Sequence, residues 1–472
     1  MNLGAWDIRR LRVDAPESAR FAVIALIVWI AMTSAAGASH EMWRDEADAW
    51  LFARDGNFAQ LTDWTRHAGT PALWYLILAP VARSGLPVES QQVLHLVVAA
   101  AAVAILFFRA PFSRSTKLLG AFGYFLGYEY STIVRTYALS ILLLFALAAL
   151  HRKRPLLYAC LLALLFNTNA QGFCIGAALV VVFVLHLRKP LPISIVALGA
   201  LAAWWQVRAP ADPMQAGSVR AFNPSAFPWT ITNAFLPRVG TILGFLLGMA
   251  VLLALTLVLR RSREALLVLW LSIAAMGVIY SWIWIGGLRH AGFVLIAVLV
   301  AVWIGEGDSV PAALLLNLSL LVSVVVFAVS WRQDMLWPYS GAKEMAAFIR
   351  AQKLEQVPIG AHNLTQSEAV LAYLPPRRFW YAGLGRDGSY MTWDAAFERA
   401  LDMPYPVAEQ RAREHFAGQR WLLLFNVEMP DPAAHGFRLL HVTPPAFAYP
   451  DERFWLYQPA DPALARGINS QS

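Results

Sequence analysis

The chain has 472 residues, of which 58% are hydrophobic and 14% charged, and its mean hydropathy is +0.51. An ordinary soluble domain carries about 25% charge, so that class is excluded and the chain falls among membrane proteins. A net charge of +8 does not argue for nucleic acid, because most basic residues before the last third lie in short clusters between apolar runs, as cytoplasmic loops do.

An N-terminal tail, 1–20, carries Arg9, Arg10, Arg12 and Arg20 ahead of the apolar run 21–38, which ends in small residues. That pattern fits a first span or a cleaved signal peptide, and either brings residue 39 out on the outer side. Runs of span length follow at 91–108, 117–131, 133–150, 155–169, 170–187, 191–207, 233–259, 264–286, 289–304 and 311–330. With the first they predict a polytopic α-helical membrane protein of about 11 transmembrane helices over 21–330.

Basic clusters fix the orientation. Arg109, Arg114 and Lys117, then Arg152, Lys153 and Arg154, then Arg188 and Lys189, then Arg260, Arg261 and Arg263 each follow every second span if the N-terminus is cytoplasmic. Only 305–309 breaks the series, having no basic residue. Counting 71–82 as a span would put all four clusters outside, so it is read as a juxtamembrane or re-entrant helix, and 39–90 becomes one long outer loop. Trp43, Trp50, Trp64, Trp74, Trp204, Trp205, Trp229, Trp282, Trp284, Trp331 and Trp337 then map to outer ends or loops, which predicts that these loops lie on the membrane surface.

From 331 the character changes. Helical patterns at 341–352 and 395–416 alternate with strand-like runs at 358–361, 378–382 and 421–427, predicting a small outer α/β domain over 331–472. No phosphate-loop or dinucleotide fingerprint occurs, and the glycines of 383–388 read as a loop. Asn363-Leu364-Thr365 has the form of a glycosylation acceptor. Cys160 and Cys174 have neither metal-ligand nor redox spacing.

Ionisable groups at a membrane boundary are functional candidates by default. His40, Glu41, Arg44, Asp45, Glu46 and Asp48 follow the first span, and Asp45 and Asp48, three apart, share a helix face. Two close carboxylates suit a general base or an oxygen-ligand metal site, for which Asp45, Glu46 and Asp48 are the donors at hand. The competing reading is a solvated helix face, with Trp43, Trp50, Leu51 and Phe52 resting on lipid. Arg135, in the outer turn after Glu129, suits a phosphate or a structural pair with Glu129. Tyr137 follows it. Asn169 and Gln171 offer hydrogen bonds to sugar hydroxyls or helix caps. Gly286-Gly287-Leu288-Arg289-His290 sets two glycines before a cation and a titratable ring.

Taken in order, Arg44-Asp45-Glu46-Ala47, the stretch from His67 to Tyr75, Arg135-Thr136-Tyr137-Ala138-Leu139 and Leu288-Arg289-His290 resemble the GT-C superfamily of membrane glycosyltransferases. Within it the chain is similar to the bacterial branch related to protein O-mannosyltransferases, the lipid A aminoarabinose transferase and rhizobial lipopolysaccharide glycosyltransferases. The resemblance covers about 20–330, and an outer tail fits it too. It implies a bacterial inner-membrane enzyme of glycan biosynthesis that transfers a hexosyl or pentosyl unit from a polyprenyl-phosphate-linked donor to a lipid, glycan or protein hydroxyl. The catalytic role falls on Asp45 with Glu46 in support, and the donor phosphate on Arg135, Arg289 and His290. Asp48, His67, Tyr137, Asn169 and Gln171 become substrate-binding candidates. At His67 the family pattern usually has adjacent prolines, whereas Thr70-Pro71-Ala72 has one. No soluble nucleotide-sugar site is needed, and direct displacement inverts the anomeric centre. The rival readings are a flippase for a lipid-linked sugar, which would place charges near mid-membrane, and a non-catalytic scaffold.

Overall fold

The computed structural model describes residues 18–187, 189–211, 222–238, 242–305, 310–362 and 364–460. The N-terminal tail through residue 17, Arg188, 306–309 and the Asn363 acceptor lie outside them. The chain divides into two compact units. One comprises the described residues within 1–38, 92–206 and 217–332; the other comprises those within 39–91, 207–216 and 333–472. The long loop therefore groups with the tail, not with the spans that flank it in sequence.

In the first unit, six helices are long and apolar enough to cross a membrane: Ala19–Ser39, Ser90–Arg109, Pro190–Val207, Ile242–Leu259, Arg263–Ile283 and Pro311–Leu336. The chain is a multi-pass membrane protein. Their free faces are apolar, with Ile242 82%, Leu257 68% and Leu198 65% exposed. Such a surface suits hydrocarbon and would not suit water. Tyr137–Ala149, Pro155–Phe166, Ala170–His186 and Leu288–Ile304 are shorter. The last is the axis of the unit, buried at every position from His290 to Ile304. Two expected spans differ in form. The run 117–131 is an eight-residue helix, Arg114–Ala121, followed by a π-turn, Phe125–Glu129. The run 233–259 is split, its first part ending the helix Ala226–Phe235.

In the second unit, Arg44–Asp55, Leu61–Ala68 and Leu73–Ala82 are helices. At 1.5 Å per residue the ten residues of Leu73–Ala82 cover about 15 Å, half a hydrocarbon core. The sequence-based expectation that the loop tryptophans lie on lipid is corrected here. Trp43, Trp50, Trp64 and Trp74 are all buried, because aromatic partners are at hand: Phe52 stacks on Trp64 at 3.7 Å and meets Tyr75 edge-on at 5.7 Å. Each such pair contributes about 0.5–1.5 kcal/mol beyond burial. The solvated-face reading fails for the same reason, since every residue from Glu46 to Ala53 is buried.

The tail forms one six-stranded sheet from β1 (Ile359–Ala361), β2 (Phe379–Tyr381), β3 (Arg386–Gly388), β4 (Leu422–Phe425), β5 (Phe437–Val442) and β6 (Trp455–Pro459), in the order β3-β2-β1-β4-β6-β5. Parallel pairing of β1 with β2 and β4 explains the continuous apolar run of β4, whose four residues are all buried. The antiparallel strands β5 and β6 were not expected. The glycine run expected as a loop contributes β3, and the helix expected over 395–416 is two, Ala395–Leu401 and Tyr405–His415. Pro404 separates them because proline disfavours helical backbone in the residue before it and donates no hydrogen bond.

Candidate functional site

The expected site residues fall into two clusters, one in each unit. In the loop-and-tail unit the helix Arg44–Asp55 opens with Asp45 and Glu46 in its first turn, where acidic groups complement the helix dipole. Glu46 is fully buried. Its Oε2 accepts from His40 Nε2 at 2.9 Å and from the Trp43 backbone N–H at 3.3 Å, so it caps its own helix. The other ring nitrogen of His40 reaches Asp334 at 3.0 Å. Burial pulls the His40 pKa down, but the carboxylates of Asp334 and Glu46 outweigh it and hold the ring well above its ordinary range. Asp48 is buried and accepts the Met391 N–H at 3.1 Å, while Trp64 donates to the Met391 carbonyl at 2.8 Å. Of the three loop carboxylates, only Asp45 is partly exposed.

Arg44 turns from this helix to Asp451 at 2.5 Å, and its backbone N–H reaches Glu452 Oε1 at 3.2 Å. Burial pushes the Glu452 carboxyl up to about 8, against Ser340 and Arg44. Sequence reasoning missed Glu368, on the helix Leu364–Ala372, which packs against Arg44–Asp55. It is fully buried and neither carboxyl oxygen has a hydrogen-bond partner among the described residues. Burial first, then the charges of Asp48, Asp45 and Glu452, raise its pKa well above the ordinary value, with Arg44 opposing. The one sequence signal was a lone acid in an otherwise nearly uncharged helical run.

A measurable consequence follows from linkage. A folded-state pKa raised above the unfolded value means that the native state keeps a proton the unfolded chain has released. Stability therefore falls as pH rises from about 4.5 toward the folded pKa. Glu368→Gln mimics the neutral acid and removes that dependence. Its apparent thermal midpoint should exceed that of the parent by a margin that grows between about pH 5 and pH 8; a margin independent of pH would contradict a protonated Glu368.

His67 ends the helix Leu61–Ala68 and its Nδ1 lies 2.9 Å from the Asp63 carbonyl. Among the described residues no group of three His, Cys, Asp or Glu side chains is arranged to hold a metal ion. Asp45, Glu46 and Asp48 do not fit as a donor set, since Glu46 is turned to His40 and Asp48 to the Met391 amide.

In the membrane unit the second cluster gathers at the head of the buried helix. Arg289 Nε lies 3.6 Å from Glu129 Oε1, and the Glu129 Oε2 accepts from Tyr124 at 2.5 Å. The Gly287 N–H donates to His290 Nδ1 at 2.7 Å, which leaves the proton on Nε2, 2.7 Å from the Tyr137 hydroxyl. Arg135 and Arg289 both lie within electrostatic range of that ring. The Tyr130 hydroxyl donates to the Arg289 carbonyl, an approach open because Gly292 carries no side chain: a Cβ there would collide with Phe125 and the Tyr130 hydroxyl. The π-turn that carries Glu129 is a deviation frequent at functional sites. Arg238, also missed, sits over the Tyr124 ring at 5.3 Å. Asn169 caps its helix through Gly172 at 2.7 Å and donates to Ser140 at 2.6 Å, and Gln171 hydrogen-bonds Tyr280. Both amides are engaged inside the protein.

Two solved structures of ArnT from Cupriavidus metallidurans share this architecture across nearly their whole length. The apo form aligns over 93% of this chain and 97% of its own at a TM-score of 0.54 and 12% identity. The form bound to undecaprenyl phosphate aligns over the same shares at 0.56 and 12%. The chain shares the fold of these two structures. No family model and no curated protein matches the sequence, so the likeness rests on shape.

Proposed function

We propose that the chain is a membrane glycosyltransferase that moves a sugar from a polyprenyl-phosphate-linked donor to an acceptor hydroxyl. The observation that carries this reading is the charged group at the head of the buried helix Leu288–Ile304: two arginines beside a histidine, with one carboxylate. Ionisable groups there are costly and mark function, and guanidinium suits phosphate oxygens. A lipid phosphate brings its own anchor, each buried methylene contributing about 0.8 kcal/mol. The undecaprenyl phosphate bound to the ArnT structure supports the same donor class.

In the proposed reaction the acceptor oxygen attacks the anomeric carbon as the bond from that carbon to the phosphate oxygen breaks, inverting the centre. The hydroxyl proton passes to the Asp45 carboxylate. The phosphate leaves with its electron pair, its growing charge stabilised by guanidinium groups. Asp45 is assigned the role of base because it alone of the three loop carboxylates is partly exposed, whereas Glu46 and Asp48 are buried. The N-terminus is cytoplasmic in this reading and Asp45 faces the other side of a bacterial inner membrane. Mass spectrometry of lipid co-purifying with the protein tests the donor class. A polyprenyl phosphate, free or glycosylated, is the expected species. Absence of any polyprenyl lipid, together with no sugar transfer from a supplied polyprenyl-phosphate sugar, would remove the proposal.

A further inference from the structure

A second polar feature of the membrane unit plays no part in that reaction. At the ends of the helices Ser90–Arg109, Tyr137–Ala149, Ile242–Leu259 and Leu288–Ile304, a cavity of about 810 Å³ is lined by Arg109, Arg152, Lys153, Arg261 and Arg263 around one carboxylate, Glu264. Glu264 is already occupied. His151 Nε2 and His186 Nε2 each lie 2.7 Å from it, and Arg152 completes the group. Arg109, Lys153, Arg261 and Arg263 have no carboxylate within ion-pair distance among the described residues. All four are exposed at the helix ends, and juxtamembrane cations of this kind attract an anionic lipid surface by about 1 kcal/mol each.

Beside it lies a second cavity of about 240 Å³ that shares His151, Arg152 and Lys153 but has an apolar wall including Tyr158, Val182 and Phe183. Tyr158 and Phe183 stack at 5.1 Å. A polar, cation-lined hollow sharing residues with an adjacent apolar slot at the ends of membrane helices matches a phosphate head group joined to an acyl chain. A soluble anion would use the first hollow only. The turn between them holds Arg152 and Arg154 at φ 59° and 45°, a left-handed conformation that bulky residues rarely adopt, so it is set by its surroundings and not by local preference.

We propose that this pair of cavities binds an anionic phospholipid, its phosphate among Arg109, Lys153, Arg261 and Arg263 and an acyl chain along Tyr158 and Phe183. Basic clusters at helix ends also orient a protein in the membrane, so the test must read binding. Full-length protein, purified in detergent and delipidated, is titrated with phosphatidylglycerol, phosphatidylcholine or inorganic phosphate and followed by native mass spectrometry. Phosphatidylglycerol is expected to bind about tenfold more tightly than phosphatidylcholine, the scale of one or two cations beside a phosphate. That preference should collapse in Arg261→Gln/Arg263→Gln and persist in Arg261→Lys/Arg263→Lys. If the glutamine pair fails to fold, the parent decides by salt: the preference must shrink as ionic strength rises. Equal affinity for the two lipids, a preference untouched by the glutamine pair or by salt, or displacement by inorganic phosphate at a concentration equal to the lipid's would overturn the assignment.

Discussion

Asp45→Asn is expected to lower the rate of sugar transfer by about 10²–10⁴-fold, the range that a positioned general base contributes. Asparagine keeps the size and one carbonyl oxygen of the side chain but cannot accept the acceptor's proton. Because the proton moves only as the new bond forms, kcat and kcat/KM should fall together while donor-lipid retention stays within about twofold. Single-turnover assays with a polyprenyl-phosphate sugar, read beside co-purified lipid, separate the two. Asp48→Asn is the informative control. Its remaining oxygen still accepts the Met391 N–H, the contact in which the structure shows it engaged, so transfer should change little. Undiminished transfer by Asp45→Asn would remove the base from Asp45.

How much of this was legible in the sequence depends on which force fixed each feature. The membrane class and the placement of most apolar helices follow from hydropathy, which a single chain displays directly. The short helix Leu73–Ala82 was separable from the spans because counting it would have reversed every later basic cluster. The fate of the loop tryptophans was not legible. Hydropathy cannot tell an interfacial indole from one that stacks on Phe52, since both want an apolar surface and only tertiary structure supplies the choice. Glu46 and Asp48 stood beside Asp45 in sequence as equals. What distinguishes them is burial: Glu46 and Asp48 are enclosed by partners up to 343 residues away, while Asp45 stays partly exposed. Glu368 was hidden for the same reason. Arg289 and His290 were easier, because charge beside paired glycines at the start of an apolar run is a local signal. The strands β5 and β6 escaped because Pro459 and the partly exposed Arg438 and Leu439 blur the alternation.

His40→Ala should cost about 3–5 kcal/mol, the usual effect of removing one member of a buried charge group. The ring is fully buried and bridges two carboxylates, Glu46 at 2.9 Å and Asp334 at 3.0 Å. Without it, two acids face each other with no cation between them. Its pKa is raised in the folded state, so its contribution is fully present below the unfolded value near 6.5 and is lost as pH rises through the folded pKa. Between about pH 6 and pH 9 the gap in apparent thermal midpoint between parent and variant should therefore narrow. Asp334→Asn in the His40→Ala background removes half of the stranded charge and should recover part of the loss, because the two substitutions act on one network and are not additive. The consequence reaches chemistry through Glu46. Once His40 is gone, the carboxylate that caps Arg44–Asp55 is free to turn, and the first turn of that helix, which carries Asp45, loses its fixed geometry. Transfer in His40→Ala should consequently fall at temperatures well below its unfolding midpoint, whereas a role confined to global stability would leave the rate per folded molecule unchanged.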